Sequence, residues 1–157
     1  GRLSDIHRKL LRAAARTHLH TGLTIAAHSG DGVAALDELA TLREEGVAGS
    51  AFIWVHAQNE ADEDAHLRAA EQGAWVEFDG IGPDSVDRHV ELVRSLRERG
   101  HLDRVLLSHD AGWYHVGEAG GGDYRGYRYI FADFLPTLDI AWVSMLLVEN
   151  PVKAFGA

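Results

Sequence analysis

The sequence predicts an α/β fold built on a parallel sheet covered by helices. Strand-length apolar runs alternate with helical patterns four times, with strand starts roughly 23–30 residues apart. That alternation calls for parallel strands joined by helical crossovers. The strands are continuously apolar rather than alternating, as burial on both faces requires. Each of the four also ends in or near a His or an Asp, at the edge where parallel α/β proteins gather ligands and catalytic groups.

Residues 3–21 read as a helix, with Ser4 as N-cap and Ile6, Leu10, Leu11, Ala14 and Ala15 at helical spacing, stopped by Gly22. The run Leu23-Thr24-Ile25-Ala26-Ala27 has strand length and ends in His28; the turn cluster Ser29-Gly30-Asp31-Gly32 follows. A helix over 32–45 closes at Gly46. The strand 51–55, containing Trp54, ends in His56, and a helix over 61–72 ends at Gly73. The strand 74–78, containing Trp75, ends in Asp79; a helix over 84–99 begins after Pro83. The strand 104–108 ends near Asp110. Residues 111–129 hold Gly112, Gly117 and three consecutive glycines at 120–122, and read as a long loop. Two helical pieces, about 127–138 and 140–148, and a final turn after Pro151 complete the chain.

Two architectures satisfy this pattern: an open doubly wound sheet, or part of a (β/α)8 barrel. A complete barrel needs eight units and ~250 residues. The 157 residues supply four units as a single domain, 1–157, with no visible linker.

Composition narrows the function classes. The net charge of -9 argues against a nucleic-acid partner, which would need clustered Lys and Arg. No apolar stretch approaches membrane-spanning length, and no basic-then-apolar export signal is visible. Cysteine is absent, which suits a cytoplasmic protein and leaves nitrogen and oxygen as the only metal ligands. Gly1 rather than Met opens the chain, which suggests a tag remnant or a start inside a larger protein.

His28, His56, Asp79 and Asp110 are drawn from His and Asp alone. These are suitable ligands for zinc first, with manganese, cobalt or iron as alternatives. A catalytic metal lowers the pKa of bound water from ~15.7 to ~7, and a nearby Asp can orient the hydroxide and accept its proton. The bland alternatives are a hydrogen-bonded core histidine for His28 and His56, and helix capping for Asp110. For Asp79, a cap or structural hydrogen bond stands beside substrate contact. His109 should point away from Asp110 under strand alternation and serve packing or support. His7, His66, His89 and His101 fall on helices or their ends and read as solvated, and Trp54 and Trp75 read as core. Trp113, Tyr114, Tyr124, Arg125, Tyr127 and Arg128 could line a substrate pocket. The glycine run lacks the context of a phosphate-binding loop, and no GxSxG elbow supports a serine nucleophile.

The strings Thr24-Ile25-Ala26-Ala27-His28-Ser29, Ile53-Trp54-Val55-His56-Ala57-Gln58, Val76-Glu77-Phe78-Asp79-Gly80-Ile81-Gly82 and Leu106-Leu107-Ser108-His109-Asp110 resemble strands five to eight of phosphotriesterase-like amidohydrolases. The opening Leu10-Leu11-Arg12-Ala13-Ala14-Ala15-Arg16 and the closing Val148-Glu149-Asn150-Pro151 are similar to that family too. The resemblance implies a half barrel in which His28 and His56 bind one metal of a binuclear pair. It implies that Asp110 binds the other and acts on the bridging hydroxide. Asp79, Trp113, Tyr114, Tyr127 and Arg128 would face a phosphotriester, lactone or carboxylic ester.

The family also places a His-x-His pair on strand one and a carboxylated Lys on strand four, and neither precedes His28. His18-Leu19-His20 stands at a helix end, and Lys9 and Lys153 are at helix positions. A half barrel leaves two open sheet edges, so the chain is expected to self-associate or pair with an N-terminal half. Three functional readings follow. They are a metal-dependent hydrolase active when the barrel is complete, an inactive fragment with a partial site, and an open-sheet binding module.

Overall fold

Polar side chains cap the first three helices, and the first cap is Ser4, as the sequence predicted. The computed structural model describes residues 1–156; Ala157, the last residue of the 1–157 domain, lies outside the described residues. Ser4 accepts the His7 N–H at the head of α1 (Asp5–Thr21), and Gly22, at φ 75°, closes it in the left-handed conformation that glycine adopts without strain. Asp31 accepts the Ala34 N–H at the head of α2 (Gly32–Glu44), and Asp62 caps α3 (Glu63–Glu71). With α4 (Val86–Glu98), these helices alternate with β1 (Ile25–His28), β2 (Phe52–Val55), β3 (Trp75–Phe78) and β4 (Val105–Leu107).

The four strands form one parallel sheet in the order β1-β2-β3-β4, with Ile25 opposite Phe52, Ile53 opposite Trp75 and Val76 opposite Val105. Phe52, Trp54, Val76, Phe78 and Val105 point to one face and pack on Leu39, Leu42, Leu92 and Leu96 of the helices. The alternate residues Ile53, Trp75 and Leu106 form a separate small cluster on the other face, joined there by Ala154. A doubly wound sheet reverses its strand order and carries helices on both faces. Sequential order with α2 and α4 packed on one face is the arrangement of a barrel wall, and it decides between the two architectures the sequence left open.

The C-terminal segment departs from expectation. Helical turns at Ile130–Phe134 and Leu135–Thr137 match the first piece. The second does not stop at 148. It runs from α5 (Ile140–Ser144) through wide π-type turns at Met145–Glu149 into α6 (Asn150–Phe155). Pro151 stands in the first turn of α6, directly after the π-type turns, and the backbone stays helical through Glu149 and Asn150, so the helix continues where a new turn was predicted. Asn150 is fully buried, and its amide donates to the carbonyls of Leu102 (2.9 Å) and Val105 (2.8 Å), pinning this segment to the start of β4.

Two histidines that the sequence reading placed in solvent are core residues. His66 is 1% exposed; it lies between Trp54 and Phe78 and binds the Ala57 carbonyl at 2.7 Å. His89 is 2% exposed and reaches the Asp79 carbonyl at 2.7 Å. Each sits on the inward side of its helix and holds backbone just beyond the preceding strand. Helical periodicity alone gave no sign of this, because a histidine counts as polar in the pattern.

Burial depresses the His66 pKa below its usual 6.5. A depressed histidine contributes stability that is fully present above the unfolded pKa and is lost as pH falls. His66→Gln keeps a donor for the Ala57 carbonyl and removes the titration. The fall in urea midpoint between about pH 7.5 and about pH 5.5 should therefore be smaller in H66Q than in the parent. An equal fall in both proteins would place the acid sensitivity elsewhere.

Candidate metal centre

The C-terminal ends of β1, β2 and β3 and the loop after β4 bring His28, His56, Asp79 and Asp110 to one place. Strand alternation puts Ala26 and His28 on the face opposite the helices. It would send His56 to the helix side, with Phe52 and Trp54. His56 avoids that fate because its backbone is left-handed, at φ 63°. Asp110 is left-handed too, at φ 42°, and these are the only two non-glycine residues with positive φ among the described residues. Such conformations cost about 1–3 kcal/mol each and persist only where surroundings enforce them. Both fall at the ends of strands that carry candidate ligands.

His28 Nδ1 and His56 Nε2 face each other at 3.2 Å, with the rings at 4.6 Å and nearly perpendicular. Two imidazole nitrogens bound at ~2.0–2.1 Å to one tetrahedral ion would stand ~3.3 Å apart. The other His56 nitrogen, Nδ1, lies 2.7 Å from Asp79 Oδ2. A metal-bound histidine commonly gives its second ring N–H to a carboxylate, which fixes its tautomer and orientation. One donor atom each from His56, Asp79 and Asp110 lies within 4.8 Å of the others. The donor chemistry and spacing fit a divalent metal.

Asp79 is 2% exposed. Its Oδ2 also accepts the His56 backbone N–H at 3.1 Å, and its Oδ1 accepts the Gln58 amide at 2.6 Å. Of the readings open for this residue, these surroundings match the structural hydrogen bond. Glu77, one pleat earlier on β3, was missed by sequence reasoning. It is buried on the site face, with Oε2 3.3 Å from the His56 N–H. Burial first, then the neighbouring Asp79 carboxylate, push its pKa up to about 8. Burial alone would raise Asp79 as well. Hydrogen bonds from Glu77, His56 and Gln58 outweigh it and hold Asp79 below the usual carboxylate range. At neutral pH Glu77 is thus the protonated member and donates to ionised Asp79. A lone acidic residue inside an apolar strand was the available signal for Glu77.

The loop residues separate into two groups. Trp113 donates from Nε1 to the Asp110 carbonyl at 3.2 Å. Tyr127 stands edge-on to the His109 ring at 5.6 Å, and its hydroxyl fills the space where a Cβ on Gly112 would sit. Both border the Asp110 segment. Tyr114 lies over Gly121 within its own loop, and the Arg128 side chain is exposed. His109 packs on Tyr127 and Phe131, the supporting role that alternation predicts. His18, half-buried, and His20, exposed, stand at the end of α1, with Nδ1 atoms bonded to the Leu23 and Arg16 carbonyls, away from the C-terminal strand ends.

The description "Phosphotriesterase family" belongs to the family profile that matches residues 1–155. This chain belongs to the phosphotriesterase family. Among curated relatives, the phosphotriesterase homology protein of Escherichia coli is 33% identical, over 99% of this chain and 55% of its own length. Its crystal structure, complexed with phosphate in the active site, superposes with a TM-score of 0.85 at 30% identity, over 100% of this chain and 56% of that one. A lactonase from Listeria monocytogenes superposes with a TM-score of 0.82 at 25% identity, over 98% of this chain and 50% of its own. The chain therefore spans about half the length of the phosphotriesterase-family proteins it matches. Over that span it has their α/β barrel-type fold.

Proposed function

We propose that this chain supplies half of the active site of a metal-dependent hydrolase acting on ester-type bonds: phosphotriesters, lactones or carboxylic esters. The observation that carries the reading is the 3.2 Å approach of His28 Nδ1 to His56 Nε2 at the ligand-binding edge of the sheet, with His56 backed by Asp79. Family membership and a lactonase among the matched structures support the bond class.

A divalent ion, zinc in first place, would be held by His28, His56 and Asp110, and when bound would polarise the scissile group and acidify water. Asp79 orients His56 and keeps its Nε2 free for coordination. Asp110 accepts the proton of the attacking water at its carboxylate. Trp113 and Tyr127 border the space a substrate would enter, with Tyr114 and Arg128 further out on the loop. The absence of cysteine favours a cytoplasmic setting.

The other half of the site would come from a polypeptide carrying four more strand–helix units in the same parallel sense. A cavity of about 540 Å³ runs along β1 beneath α1, lined by Leu10, Leu11, Ala26 and His28, where a neighbouring strand would lie. Ile6, Leu10 and Leu23 are exposed on that flank, and Ile140 and Phe155 on the C-terminal segment. Analytical ultracentrifugation tests this: the chain alone should associate on concentration, and a polypeptide carrying the missing units should bind it and disperse the self-associated form. A compact monomer at all concentrations, indifferent to that polypeptide, overturns the partner assignment. For the completed protein loaded with zinc, hydrolysis is assayed on an aryl ester, a lactone and a phosphotriester. Asp110→Asn should lower kcat by at least ~100-fold. Turnover unchanged in D110N would overturn the role given to Asp110.

A further inference from the structure

We propose that Arg125 is the positioning residue that holds Asp110 in its site-facing conformation. The inference rests on the metal-centre reading above. The long loop after β4 folds back so that this one guanidinium reaches four main-chain carbonyls. Nη1 donates to Gly80 (3.3 Å) and Ile81 (3.4 Å), and Nη2 to His109 (2.9 Å) and Asp110 (2.7 Å). The first pair follows Asp79 at the end of β3. The second pair is the Asp110 segment itself. The fork therefore ties together the two loops that carry the acidic groups of the site.

The main chain of the same residue completes the clasp. The Arg125 carbonyl accepts the Gly112 N–H at 2.8 Å, two residues beyond Asp110. Gly82 leaves room for the fork, since a Cβ there would stand 3.0 Å from Arg125 Nη1. No carboxylate lies within ion-pairing distance of Arg125 among the described residues. Its donors are spent on carbonyls, and charge-assisted bonds of this kind are roughly twice as strong as neutral ones.

The need for such a clasp lies at Asp110. Its φ of 42° is a conformation that a non-glycine residue leaves unless held. The carbonyls on both sides of that dihedral, those of His109 and Asp110, are the two that Nη2 binds. Lysine cannot reproduce this, because an ammonium lacks the planar fork. Arg125 thus acts on the site through Asp110, touching neither substrate nor metal.

The test is a double-mutant cycle on zinc affinity, measured by calorimetry, with backbone hydrogen exchange as a readout independent of the metal. Arg125→Ala should weaken zinc binding by ~10–100-fold, the usual loss for a group that orients a ligand. Arg125→Lys should recover only part of it. In an Asp110→Ala background, Arg125→Ala should cost nothing further. An equal loss with and without Asp110 overturns the proposal, as does unchanged affinity in R125A. Amide exchange of Gly112 should be at least ~10-fold faster in R125A, while amides of β2 and β3 keep their protection. Unchanged exchange at Gly112 also overturns it. If the parent chain takes up no zinc, the metal reading fails on that result alone, and the exchange data still decide whether Arg125 holds the Asp110 segment.

Discussion

Replacing His56 with alanine is expected to reduce zinc affinity by at least two orders of magnitude, about 3 kcal/mol or more, while the fold survives. His56 is the junction of the site. Its Nε2 meets His28 at 3.2 Å and its Nδ1 meets Asp79 at 2.7 Å. Its side chain is a quarter exposed, so truncation opens little cavity in the core. Asp79→Asn separates the two roles of the pair. An amide there can still accept the Nδ1 proton, but it loses the charge that fixes the tautomer and raises ligand basicity. A fall of ~10–100-fold is expected, smaller than for H56A. Zinc binding unchanged in H56A, followed by elemental analysis and calorimetry with far-ultraviolet circular dichroism as the fold control, would remove His56 from the site. Equal losses in D79N and H56A would instead mean that Asp79 is itself a ligand, which its place within 4.8 Å of Asp110 makes a real alternative.

The second large effect is on stability. Trp54→Ala should destabilise the chain by ~3–5 kcal/mol, the range for a large aromatic side chain removed from a packed interior. Trp54 is fully buried, packs among the helices on the covered face of the sheet and lies 5.2 Å from the His66 ring. Its Nε1 also donates to the Ser29 carbonyl at 3.2 Å, one residue past His28. Trp54→Phe keeps most of the apolar area but leaves that carbonyl without its donor, and should cost less, on the order of 1–3 kcal/mol. Urea midpoints of the three proteins give the ranking. A loss below about 1 kcal/mol in W54A would mean that the helix layer closes over the gap. W54F should also loosen the His28 turn, so its zinc affinity should fall in step with its stability.

Strand–helix alternation, the cap at Ser4, the turn cluster after His28 and the apolar stretches around Trp54 and Trp75 were sufficient to place every strand to within a residue or two. They were sufficient because each is a local property, carried by spacing and by the conformational preferences of neighbouring residues. The positions of His28, His56, Asp79 and Asp110 at strand ends follow from the same alternation, since the end of a strand marks the edge of the sheet. The sequence also carried the family resemblance in its strand-end strings.

What each of those residues faces was settled only by the tertiary structure. Barrel wall and doubly wound sheet share one local pattern; they differ in strand order and in which face the helices cover, and both are long-range properties. His56 would point into the helix layer if its backbone stayed extended, and only the packed loops hold it and Asp110 at positive φ. Glu77 looked like one acidic residue in an apolar strand until folding buried it beside Asp79, where it stays protonated and donates to the ionised partner. His66 and His89 counted as polar on their helices, yet both turn inward to satisfy carbonyls beside the site. In each case the deciding factor is a packing environment that only the fold assembles, or a backbone angle that no run of residue types encodes.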